Sequence, residues 1–229
     1  MNYNSENIRI NVLNLTYLDN LVTILPYSSQ PLSSQVLLHL YKEYKRPYDK
    51  ISELVNQGFL VQLRRGLYVP GAQLPIAAPE PFLIANHLYG PSYVSFDTAL
   101  HYWGLIPERV VEIISATTLN TKSIKTSIAS FSYINLTTNY YAMGVQSHQL
   151  AKNQVVMLAT PEKALMDKIV DTSMLQLRSV KQVAAYLDED LRMETNDLKN
   201  FDAKEMSSWI KYAPKKNSLS MLVNYLQSL

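Results

Sequence analysis

Four prolines fall within twelve residues at Pro70, Pro75, Pro79 and Pro81. Proline lacks an amide hydrogen, fixes its own φ and disfavours helix at the residue before it, so no helix or central strand runs through this stretch. With Gly71 among them, these residues read as a joint. The chain has 229 residues. That is long for one domain and comfortable for two of about 100 to 150 residues each. The boundary is therefore placed here, giving a first domain over 1–75 and a second over 79–229.

Ahead of the joint the pattern reads helix, helix, helix, hairpin. Leu15, Leu18, Val22 and Leu25 recur at helical spacing until Pro26. Leu32, Val36, Leu37 and Leu40 form a second amphipathic run, with Ser33 or Ser34 as its N-cap. The polar connector Lys42–Arg46 leads to Pro47, which suits the first helical position, and Ile51, Leu54 and Val55 give the third helix a narrow apolar stripe that Gly58 ends. The period then changes. Phe59–Leu63 and Leu67–Val69 are strand-like, and Arg64-Arg65-Gly66 turns between them, with Gly66 supplying the positive φ of a tight loop. This order predicts a winged helix-turn-helix, whose last helix enters a major groove while its hairpin meets backbone or minor groove.

Past the joint, helices are expected over Phe82–Leu88, from a Ser95 cap to Trp103, and from Thr160-Pro161-Glu162 to about Val170. Strands are expected over Val110–Ser115, Ser127–Ile134, Ala142–Ser147 and Gln154–Leu158, and helices close the chain near 179–187, 203–212 and 219–226. The fold class expected is α+β: the winged helix-turn-helix, then an α+β domain with a small, mostly antiparallel sheet and a helical C-terminal tail.

Charge is unevenly placed. The net charge is only +2, yet Met1–Pro70 carries seven basic residues against five acidic ones, and the remainder is balanced. The excess lies between Lys42 and Arg65, where a local basic patch is a footprint of phosphate binding or simply a solvated surface. There are no cysteines, which excludes disulfides, thiolate zinc sites and cysteine nucleophiles. The polar start of the chain is not a secretory signal, and no apolar run reaches the roughly 20 residues of a membrane span, so no membrane partner and a cytoplasmic location are expected.

Catalytic patterns are missing. None of the six glycines forms a dinucleotide or phosphate loop, and no metalloprotease or nucleophile-elbow motif occurs. His39, His87, His101 and His148 lie far apart without ligand spacing. Asp188-Glu189-Asp190 is a carboxylate run, but neighbouring helix residues diverge, which favours a solvated helix end over a metal or acid–base site. No enzyme activity, cofactor or metal is expected. The candidate DNA-binding residues are Lys45, Arg46, Tyr48, Lys50, Gln57, Arg64 and Arg65. Arginine and lysine meet phosphates, and glutamine can read a base edge. Asp49 and Glu53 lie opposite the core stripe of the third helix, where they would repel phosphates.

Three stretches carry a resemblance: Gly58-Phe-Leu-Val-Gln-Leu-Arg-Arg-Gly-Leu-Tyr68, Tyr93-Val-Ser-Phe-Asp-Thr-Ala-Leu-His-Tyr-Trp-Gly-Leu-Ile-Pro-Glu108, and Leu158-Ala-Thr-Pro-Glu-Lys-Ala-Leu-Met-Asp-Lys168. In this order and spacing the chain resembles the AbiEi antitoxin family of type IV toxin–antitoxin systems, taking part in abortive infection. The resemblance implies a transcriptional regulator that binds operator DNA and represses its own operon, with a second domain that neutralises a cognate nucleotidyltransferase-like toxin. The family's third helix is often arginine-rich; here it holds Asp49 and Glu53. A protein-interaction module whose winged helix binds a protein instead of DNA is the alternative.

Overall fold

The computed structural model describes residues 17–108 and 110–229; Leu15, counted in the first apolar stripe, lies outside them. The chain is α+β, with eleven helices among the described residues. It divides into two units, the first running to Ile84 and including Ala151–Gln154, the second comprising Ala85–Leu150 and Val155–Leu229.

In the first unit, helix α1 (17–24) is followed by a single 3-10 turn, Leu25–Tyr27, containing Pro26. Strand β1 (Leu32–Ser33) leads directly into α2 (Ser34–Leu40), whose N-cap is Ser33: its hydroxyl accepts the Val36 amide at 3.3 Å. Helix α3 (Pro47–Asn56) precedes the hairpin of β2 (Leu60–Arg64) and β3 (Leu67–Pro70). The three strands form an antiparallel sheet in the order β1-β3-β2. The core gathers Ile24, Leu32, Leu37, Tyr41, Ile51, Leu54, Leu60, Tyr68 and Leu74.

The expected stripe of α1 does not face this core. Leu18, Val22 and Leu25 are exposed, and the helix instead buries Ile24 and Asn20, whose side-chain oxygen accepts a hydrogen bond from the Tyr41 hydroxyl. α1 is apolar on two sides, so spacing alone did not select the buried one.

Helix α4 (Pro81–Leu88) holds the division between the units. Beyond it come β4 (Ser92–Val94), α5 (Phe96–Tyr102), β5 (Ile113–Thr117), β6 (Lys122–Lys125), β7 (Ser130–Asn135), α6 (Thr138–Tyr141), β8 (Val145–Ala151), β9 (Gln154–Ala159) and α7 (Pro161–Asp171). The remaining helices are α8 (Val180–Ala185), extended by a π-helical turn over Tyr186–Asp190, then α9 (Thr195–Leu198), α10 (Ala203–Trp209) and α11 (Lys216–Leu226). The sheet is larger than the small one expected, and it is mixed. It has six strands in the order β6-β7-β5-β4-β9-β8, and β4 with β9 and β5 with β7 run parallel while β4 with β5 and β6 with β7 run antiparallel. Direction depends on which strands the connections bring together, and alternation along one strand does not encode it.

Helix α7 is a deeply buried element of this unit. Thr160 accepts the Lys163 amide at 3.3 Å as N-cap, Pro161 fills the first helical position, and Glu162 faces the positive end of the dipole. Ala164, Leu165, Met166 and Ile169 are fully buried, and so are Lys163 and Asp167.

Candidate nucleic-acid interface and a buried polar junction

Six of the seven candidate DNA-contacting side chains lie on the surface of the first unit: Lys45, Arg46, Tyr48, Gln57, Arg64 and Arg65 are exposed. Lys50 is not. Only 7% of it is accessible, because its aliphatic stem lies on the core side of α3 next to Ile51. Its ammonium is 3.4 Å from Glu53 Oε1 and 5.3 Å from the centre of the Tyr44 ring. Glu53 Oε1 also accepts from Gln57 Nε2 at 3.0 Å, so the one glutamine aimed outward from this helix is engaged by its own helix. Arg46 and Asp49 approach to 3.6 Å, both largely in solvent. The outer face of α3 is thus a row of internally matched charges.

The β2–β3 turn is different. From Leu54 to Pro79 the only charged residues are Arg64 and Arg65. Gly66, at φ +83°, makes the turn, and its carbonyl accepts the Ser34 amide at 3.0 Å, tying the turn to the start of α2. The pairing of β2 with β3 shifts register between Gln62 and Arg64, a bulge that twists the end of the hairpin. The Arg64 guanidinium donates to the Arg65 carbonyl at 3.3 Å.

In the second unit the two remaining sequence motifs meet. Asp167 Oδ2 on α7 accepts the Tyr93 hydroxyl at 2.9 Å and the Ser95 hydroxyl at 2.7 Å. Asp167 Oδ1 lies 2.7 Å from Lys163 Nζ, which also donates to the Tyr140 carbonyl at 3.1 Å and stands 3.2 Å from the centre of the Tyr140 ring. The next residue, Lys168, pairs with Asp97 at 2.6 Å, and the Trp103 indole donates to the Ala159 carbonyl at 2.9 Å. Ser95 is at the N-cap position of α5 as expected, but its hydroxyl makes no cap and points to Asp167 instead. The sequence places both helices and the Thr160 cap, and does not show the polar joint between them. The available signal was the spacing of Lys163 and Asp167, one turn apart on an otherwise apolar helix face.

Burial governs the electrostatics here. Desolvation lowers the Lys163 ammonium from its ordinary value, and the Asp167 charge opposes that shift. The Tyr93 and Tyr140 phenols are pushed well above theirs, chiefly by burial and then by the Asp167 charge. Tyr141, half-buried against Tyr93 with ring centres 4.9 Å apart, is raised to about 12 by burial. An uncharged cleft of about 500 Å³ lies beside this pair, lined by Asn86, Pro91, Ser92, Val145 and Met157 as well. Lys163 and Asp167 are wholly inaccessible, and the junction ties α7 to β4 and to the start of α5.

Among the described residues no group of three or more histidines or acids is placed to hold a metal ion, and no helix is long and apolar enough to cross a membrane. Asp188, Glu189 and Asp190 are exposed at the end of the π-helical turn. His148 pairs with the Tyr102 hydroxyl at 2.8 Å.

No protein-family model matches the chain, and no curated protein does. Among solved structures it is similar to the crystal structure of the RV2827C protein from Mycobacterium tuberculosis, with a TM-score of 0.57 and 14% identity over 92% of this chain and 77% of that one. At that identity the likeness shows a shared fold.

Proposed function

We propose that this protein is a DNA-binding transcriptional autoregulator and antitoxin of the type IV kind, a binding protein and not an enzyme. Its first unit acts as a winged helix-turn-helix on operator DNA, and its second unit neutralises a nucleotidyltransferase-like toxin. The observation that carries the DNA reading is the arginine turn: two guanidinium groups at the end of a hairpin, with no carboxylate in the surrounding stretch from Leu54 to Pro79. The resemblance of the three stretches to AbiEi antitoxins supports the rest. The binding test is titration of operator-length duplex DNA at several salt concentrations. Arg64→Ala with Arg65→Ala is expected to leave the melting curve nearly unchanged, to weaken binding to every duplex, and to lower the slope of log K against log salt by about 2, one per lost phosphate contact. Unchanged affinity and slope would remove the turn from the interface. The antitoxin half is tested by co-expression with a cognate nucleotidyltransferase-like toxin, where restored growth is the expected result.

The matched charges on α3, Arg46 with Asp49 and Lys50 with Glu53, favour a second reading in which this unit binds a protein partner and no DNA. Absence of salt-dependent duplex binding would select it.

A further inference from the structure

Charge is segregated along the helical tail of the second unit. From Thr172 to Leu187 the chain carries Arg178 and Lys181 and no acid, and from Met206 to Leu229 it carries Lys211, Lys215 and Lys216 and no acid. The acids of the tail all lie between these stretches, over 188–205. The fold brings the two cationic stretches together. Helix α8 packs on α11, and the Leu177 amide donates to Ser218 Oγ at 3.0 Å. Beside this contact is an open cleft of about 350 Å³ lined by Gln176, Arg178, Lys215, Lys216, Asn217 and Ser218, with no acid and no aromatic ring in its wall.

Three kinds of donor line it. Ser218 is only 5% exposed; its oxygen accepts from Leu177, while its own hydroxyl hydrogen has no acceptor among the described residues. A buried donor left unmade is unfavourable, and a ligand oxygen in the cleft would relieve it. The second donor set is the start of α11. No side chain caps this helix, and the Lys216, Asn217 and Ser218 amides meet no acceptor among the described residues. The third is the cations. Lys215 Nζ donates to the Ile169 and Thr172 carbonyls and is held in place, Arg178 donates to Gln176 at 2.7 Å, and Lys216 is exposed. The acid that acts on Lys215 is Asp171, at the end of α7.

We propose that this cleft binds a phosphate group, free or on a small ester. A tetrahedral dianion presents several acceptor oxygens at once. It can therefore take the helix amides, the Ser218 hydroxyl and a guanidinium or ammonium together, which a single-atom anion cannot. The carboxamides of Gln176 and Asn217 suit the hydroxyls of an ester's remainder, and a wall without aromatic rings gives a nucleobase nothing to stack on. The site lies in the second unit and does not depend on the DNA reading.

The full chain is titrated with sodium phosphate and with glycerol phosphate, against sodium chloride at the same ionic strength, and followed by amide NMR. Saturable movement of the Lys216, Asn217 and Ser218 amide resonances is expected with phosphate and not with chloride. Arg178→Gln with Lys216→Gln is expected to weaken binding by about tenfold or more and to leave the melting temperature in chloride nearly unchanged, because both side chains are on the surface. Tighter binding of glycerol phosphate identifies an ester as the ligand, and equal binding identifies phosphate itself. Shifts that do not saturate, equal shifts with chloride, or an unchanged dissociation constant in the double variant overturn the proposal.

Discussion

Lys163 and Asp167 show how one turn of helix couples polar groups whose separate burial would be unfavourable. Their pair is fully enclosed, and Asp167 also satisfies Tyr93 and Ser95. Removing one partner of a buried pair leaves the other uncompensated, so Lys163→Met is expected to lower stability by about 3–5 kcal/mol, read as the urea midpoint. Lys168 and Asp97 are a quarter exposed and solvent-screened, so Lys168→Ala is expected to cost under about 1 kcal/mol. Adding Asp167→Leu to Lys163→Met is not expected to restore stability, because the Tyr93 and Ser95 hydroxyls then lose their acceptor. The phenols give a separate test. Tyr41, Tyr93 and Tyr140 have folded-state values raised above the ordinary 10, by burial first. A raised folded value means their contribution is complete below pH 10 and is lost as the pH climbs beyond it. Phenolate absorbance at pH 11 is therefore expected to fall short of the sixteen tyrosines and to reach them only as the chain unfolds. Full titration without unfolding would mean these three are accessible.

At the scale of elements, the hairpin and its neighbours were legible because their determinants are local. The Ser33 cap, Pro47, Gly58 and the Gly66 turn each act within a few residues of themselves. What escaped was set by partners distant in sequence. Strand β4 is three residues buried on both faces, so it shows no alternation, and β1 is two residues whose pairing with β3, more than thirty residues on, no local pattern announces. Lys50 reads as a surface cation until α3 is placed against the core. Ser95 has the residue type and position of a cap, and an aspartate 72 residues away takes its hydroxyl. Two glycines test the first unit. A Cβ at position 71 would lie 2.1 Å from the Gly58 carbonyl oxygen, a backbone atom that cannot move aside cheaply. At position 66 the space is open, with Ser34 Oγ 3.6 Å away, and only the left-handed backbone resists. Gly66→Ala is expected to cost about 1–2 kcal/mol and Gly71→Ala more, with the difference visible in melting temperature.

At the scale of the whole molecule, each unit has its own buried centre, one on α2, α3 and the three-stranded sheet, the other on α5, α7 and the six-stranded sheet. A fragment starting at Pro79 is expected to unfold in one cooperative calorimetric transition. A gradual, non-cooperative loss of structure in that fragment would mean its core is incomplete without the preceding residues. The meeting of Tyr93, Ser95, Lys163 and Asp167 also bears on how such a chain can vary over generations. A substitution at any one of these positions arrives while the other three still fit the old occupant, so the first step is penalised whatever the merit of the final combination. Two segments separated by more than sixty residues are thereby inherited as a single character, and workable alternatives have to appear as matched sets.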